Sequence, residues 1–213
     1  IMMVFSELFN DINEQNSLES SLVHDFHLMI DTVLRSCSHH HSNYYASSYL
    51  RRCIRIVRNV RNTITRDHLL QYIETQLVLA CHRQLSDVSL WSTLHILIRD
   101  HRKDIIYAVE DYNMVVGQLG FTELHSIESE FLPLKNSTEL AIEQMKWLLG
   151  VECRVFTPYW CIVSSENLPI VSAFIEQHSE KIALAPDSEI YKRKKEVLEI
   201  LLDVVAKYHS HSA

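Results

Sequence analysis

The chain has 213 residues, a net charge of −7 and 47% apolar residues, which is enough for a substantial core and excludes a disordered polypeptide. It holds only 3 glycines and 4 prolines, where average usage gives about 15 and about 11. Sheets and hairpins need Gly, Asn-Gly or Asp-Gly at positive-φ turns, whereas helices do without them, so composition alone predicts an all-α fold.

The apolar periodicity predicts about nine helices. The first covers roughly 2–14, with Val4, Phe5, Leu8, Phe9 and Ile12. Ser17 can cap a second over 18–36, where Leu22, Phe26, Met29, Ile30 and Val33 form one stripe. Residues 38–43 read as a polar loop. A third helix spans 44–62 with Tyr49, Leu50, Ile54, Val57 and Val60 inward. Thr63-Ile64-Thr65 breaks it, and Thr65 caps a fourth at 66–85.

Ser86-Asp87 opens a helix at 88–100, and another follows at 103–117. A short helix at 122–131 stops before Pro133. Ser137 caps a helix at 138–149 that Gly150 closes. Residues 151–163 are the one stretch that does not read as helix: Val151, Cys153 and Val155 alternate, and Pro158 interrupts, so a small hairpin or buried connector is expected. Asn167 with Pro169 starts a helix to about 183, and Pro186-Asp187 starts the last, 188–208.

Helices of this length with short connections pack as helical hairpins, in a compact bundle or an irregular α-solenoid. No repeat at a fixed period is visible. A single helical domain over 1–213 is expected, with its weakest seam at 151–163.

The five cysteines are odd in number and irregularly spaced, as expected of reduced core thiols in an intracellular, nuclear or cytoplasmic protein. A secreted helical bundle with two disulfides is the rival, and the Asn136-Ser137-Thr138 triplet is compatible with it. No apolar run is long enough to span a bilayer. The N-terminus, Ile1 to Phe5, is apolar without a basic leader, unlike a signal peptide. It suggests a piece of a longer chain, and its oily side chains suggest packing against more chain or a partner.

The strongest local signal is basic. Arg51, Arg52, Arg55, Arg58, Arg61 and Arg66 fall within sixteen residues free of Asp and Glu. That segment carries +6 in a chain of net charge −7, leaving −13 on the rest. Arg51, Arg55 and Arg58 share one helix face. Six like charges need compensation, by carboxylates of neighbouring helices, by an acidic protein partner or by nucleic acid. Arginine suits bidentate phosphate contacts, yet a net acidic domain repels DNA at long range. Tyr44, Tyr45 and Tyr49 lie one to two turns away and do not interleave with the arginines.

Phe156, Tyr159 and Trp160 cluster around Pro158 and form a second candidate, an aromatic anchor for a partner. Trp91 and Trp147 sit on apolar helix faces and read as core. Among thirteen histidines, His24 and His27 have ligand-compatible spacing, but no Cys-x-x-Cys or His-Glu-x-x-His occurs, so no metal is expected. Three glycines cannot build a phosphate loop, and no nucleophile elbow is present. No catalytic residue, cofactor or small-molecule substrate is expected.

The sequence therefore leads to a non-enzymatic helical interaction module, a subunit or scaffold of a larger protein assembly. It would present the arginine helix and perhaps also the aromatic segment. The first alternative is a nucleic-acid or chromatin-associated module that uses the helix at 44–62. The second is a secreted helical-bundle ligand.

Overall fold

A computed structural model describes residues 16–58, 60, 63–98, 137–164, 167–183 and 189–212. The helices expected at 2–14, 103–117 and 122–131 lie outside these residues. The fold is all-α. Among the described residues the elements are α1 (Asn16–His39), α2 (Tyr44–Arg58), α3 (Thr63–Arg83), α4 (Val88–Ile98), α5 (Ser137–Gly150), α6 (Phe156–Ile162), α7 (Leu168–Ala183) and α8 (Glu189–Ser212).

The described residues group into two compact units: one up to Leu77, the other from Val78 to Ile98 and from 137 onward. Residues 151–163, the seam expected from the sequence, lie wholly within the second unit.

In the first unit α1 and α2 form a helical hairpin. Ser42 at φ 56° makes the reversal. Asn43 then caps α2: its Oδ1 accepts from the Ala46 amide at 3.1 Å, and its Nδ2 donates to Ser36 Oγ at 3.1 Å. Asn43, read as loop from sequence, is thus both cap and tie. Phe26, Ile30, Leu34 and Cys37 of α1 are buried, as are Leu50, Cys53, Ile54 and Val57 of α2. Each fully buried Leu or Ile contributes about 2 kcal/mol. Tyr49 donates to Met29 Sδ across the hairpin at 3.0 Å. On α3, Leu69, Leu70, Ile73 and Leu77 are buried as well.

α3 starts at Thr63, where a break was expected. The β-branched Thr63-Ile64-Thr65 run costs only tenths of a kcal/mol per residue in a helix, and burial of Thr65 favours including it.

In the second unit the central element is α4, whose sequence VSLWSTLHILI contains no Asp, Glu, Lys or Arg. A helix apolar on most sides belongs inside a core. Leu90, Trp91, Leu94 and Leu97 are all fully buried. Asp87 caps α4, accepting from the amides of Ser89 and Leu90 at 2.9 and 3.1 Å. α4 packs chiefly on α6 and also on α5, α7 pairs with α8, and α8 also covers α6.

The stretch expected as a hairpin or connector is different. Residues 153–155 form no regular element, with Val155 extended, but 156–162 form the short helix α6. Pro158 falls in its first turn, where backbone N–H groups lack intrahelical acceptors anyway, so it starts the helix instead of interrupting it. Leaving α5, the Cys153 amide donates to the Leu148 carbonyl at 2.9 Å and the Glu152 amide to Leu149 at 3.3 Å. This pairing is a Schellman closure. Its left-handed residue is Glu152, φ 53°, and Gly150 is the last helical residue. The turn after α6 is tied by buried Asn167, whose Nδ2 donates to Ile162 O and whose Oδ1 accepts from the Ser164 amide, both at 2.8 Å.

Candidate functional site

The arginines expected to form one face are distributed through different depths. With residues about 100° apart around a helix, the buried stripe of α2 is centred on Leu50, Ile54 and Val57. Arg58 lies next to this stripe and is buried, 6% exposed. Arg51 and Arg55 are half-buried, and Arg52 points outward. Arg66, on α3, is half-buried and pairs with Asp67 at 3.3 Å. Arg61 lies outside the described residues. The outer sector of α2 also carries Tyr44 and Tyr45, 65% and 86% exposed, with ring centroids 6.3 Å apart.

The aromatic segment is sorted by the helical period of α6. Tyr159 turns inward and is fully buried, where its hydroxyl donates to the Cys153 carbonyl at 2.6 Å. Burial pushes its pKa up, and the neighbouring Cys153 adds to this. Phe156 and Trp160, at i and i+4, stand on the opposite side, 36% and 37% exposed. Their rings stack at 6.0 Å. Tyr208 of α8 lies 6.3 Å from Trp160, and Lys207 Nζ sits 4.8 Å above the Phe156 ring. Lys207 also pairs with Asp203 at 2.7 Å. Surface ion pairs between Arg154 and Glu196, 3.2 Å, and between Arg193 and Glu152, 3.5 Å, lie on the same helix and its neighbouring turn.

Lys207 and Tyr208 were not legible as members of this patch. Tyr208 reads from sequence only as part of the α8 apolar stripe. The signal that could have found them is the pairing of a C-terminal helix with a short aromatic one, which requires the fold.

Two further polar clusters were only half visible. On α1 and α3, the His27 ring stacks on Tyr72 at 3.7 Å and meets the His68 ring edge-on at 5.5 Å. Tyr72 donates to Asp31 Oδ1 at 2.7 Å. Burial, that hydrogen bond and the charge of Asp31 push the Tyr72 phenol up to about 12. Burial lowers the His27 pKa, as do His68 and His24, while Asp31 opposes them. In the second unit, His82 lies flat on Trp147 at 3.5 Å and donates from Nε2 to Gln144 Oε1 at 2.8 Å.

Among the described residues no group of three or more His, Cys, Asp or Glu is placed to hold a metal ion, and no helix is long and apolar enough to cross a membrane. All five cysteines are free and buried. Burial pushes the Cys53 thiol up to about 12 and raises that of Cys153.

These features define a class: an all-helical protein built of two compact units, with an exposed aromatic patch on one and a basic, tyrosine-bearing helix on the other. The profile of the ECM9 middle domain matches residues 2–119, more than half of the chain. The chain therefore belongs to the ECM9 middle domain family. The match takes in α1 through α4, the arginine helix included, and ends before the aromatic patch. No curated protein and no solved structure matches the chain.

Proposed function

We propose that this chain is a non-enzymatic interaction module, a subunit or scaffold of an intracellular, nuclear or cytoplasmic protein assembly. The observation that carries this reading is the surface formed by Phe156, Trp160, Tyr208 and Lys207. Aromatic anchors held rigid by their neighbours lose little entropy on binding and dominate the energetics of protein interfaces. Phe156 and Trp160 are fixed by a helix whose inner side chains, Tyr159, Cys161 and Ile162, are locked in the core. The arginine helix adds charge steering toward a partner. Nothing in this arrangement requires bond chemistry.

Affinity purification of the full-length protein from cells, with nuclease treatment, tests the reading. The expected result is a stoichiometric protein partner that survives nuclease and is lost from Trp160→Ala and Phe156→Ala variants of unchanged helicity. A chain recovered alone in every preparation overturns it. So does a small-molecule turnover that depends on residues of this chain.

A further inference from the structure

The hairpin of α1 and α2 carries a second surface. From Thr32 to Arg66 the sequence contains seven arginines, a run of three histidines and no Asp or Glu. The fold sorts this charge. Arg58 is taken into the core and Arg66 is paired with Asp67. Arg35, near the end of α1, and Arg52, on the outer side of α2, remain exposed.

Two aromatic rings accompany them. Tyr44 and Tyr45 open α2 and are exposed, at 65% and 86%. Tyr45 and Arg52 are seven residues apart, so they lie on one line of the helix, separated by about 10 Å along its axis. Tyr44 shares its line with Arg51. The bond from Asn43 to Ser36 fixes the start of α2 against the end of α1, which brings Arg35 and the exposed His39 and His40 to the same tip of the hairpin.

Two adjacent exposed rings offer stacking faces to a π-faced partner. Two rings about two helical turns from exposed guanidinium groups, in a segment without acids, complement a ligand that carries flat bases and negative charges along one strand. An acidic peptide supplies the charge and no obligatory stacking faces.

We infer that the outer face of α2, with Tyr44, Tyr45 and Arg52, together with Arg35 near the end of α1, binds single-stranded nucleic acid. The tyrosines stack on unpaired bases and the arginines contact the backbone phosphates. A duplex hides its bases and offers the tyrosines nothing. The inference stands on a different unit from the aromatic patch of α6 and is independent of it.

Fluorescence anisotropy with labelled 20-nucleotide oligo(rU), oligo(dT) and a duplex of equal length tests it, using the full chain and polyglutamate as competitor. Expected are salt-dependent binding of the single strands, weaker binding of the duplex and poor competition by polyglutamate. The two single strands separate RNA from DNA. Tyr44→Ala with Tyr45→Ala should weaken binding about tenfold, whereas Tyr44→Phe with Tyr45→Phe should retain it. Arg35→Gln with Arg52→Gln should weaken binding and reduce the salt slope by about 1 to 2. Both tyrosines project into solvent, and circular dichroism of the variants confirms the fold. The inference is overturned by absence of binding at low salt, by equal affinity for duplex, by polyglutamate competing as well as oligo(rU), or by alanine variants that bind like the wild type.

Discussion

The Tyr159 hydroxyl donates to the Cys153 carbonyl at 2.6 Å, and both residues are buried. This bond closes the chain between the end of α5 and α6. It also turns a tyrosine that adjoins Trp160 in sequence away from Trp160 in space. Removing the hydroxyl leaves the Cys153 carbonyl in the core without that donor, at a cost of about 1–2 kcal/mol. Tyr159→Phe is therefore expected to lower stability by that amount in urea unfolding, with the helix content unchanged and partner binding unaffected at saturating stability. A Tyr159→Phe protein as stable as the parent would show that the bond contributes nothing net.

The junction after α5 gives a prediction of opposite sign. Gly150 ends the helix, and a Cβ added there meets nothing within 4 Å. The left-handed residue of the closure is Glu152, φ 53°. Gly150→Ala should therefore stabilise by about 0.5–1 kcal/mol, through helix propensity and a less flexible unfolded chain. Glu152→Gly should also stabilise, by a smaller margin, because it relieves the left-handed strain but removes an exposed ion pair with Arg193 that is worth little. Thermal melts of the two variants decide. A lower Tm for Gly150→Ala would mean the glycine is needed for its conformation.

How much of this was legible in the sequence follows from which signals are local. The α4 helix was legible because its composition leaves it nowhere to sit but inside, and because Asp87 stands where a cap belongs. The closure of α5 lies two residues beyond Gly150, the position the sequence suggests, because glycine is the usual left-handed residue and nothing in Gly-Val-Glu-Cys marks Glu152 as taking that role. α6 is not legible in the sequence because Pro158 reads as a breaker, though a proline in a first turn is compatible with a helix. The basic face was legible as charge and not as exposure. Arg58 is buried and Arg52 exposed although both were read as one cluster, because which arginine flanks the buried stripe depends on how α2 rotates against its neighbours. The partners of His27, 41 or more residues away on α3, required the fold.

Buried thiols yield a chemical prediction. All five cysteines are buried, and burial raises the pKa of Cys53 and Cys153. Since the thiolate is the reacting species, a thiol reagent at pH 7.5 should label the native protein slowly, at the rate of its opening fluctuations. In denaturant five thiols should react at once. Rapid labelling of one cysteine in the native protein would place that residue in a locally open segment. Fewer than five thiols in denaturant would support the disulfide-linked alternative.

The His27 cluster sets the response to acid. Its ring is stacked on Tyr72, and its Nε2 is shut off from solvent with no hydrogen-bond partner among the described residues. His24, His68, Asp31 and Tyr72 surround it. Burial lowers its pKa first, then His68, with Asp31 opposing. His82, stacked on Trp147, is lowered by burial as well. A histidine with a depressed folded pKa takes up its proton more readily in the unfolded chain. Stability is then fully present above the unfolded value of about 6.5 and falls as the pH drops below it, because the unfolded state binds more protons. The urea midpoint should therefore decrease between pH 7.5 and pH 5. His27→Phe keeps a ring on Tyr72 but cannot titrate, so its midpoint should decrease less over the same interval, with His82→Phe removing a further part. Parallel pH profiles for the wild type and both variants would assign the acid sensitivity to carboxylates elsewhere in the chain.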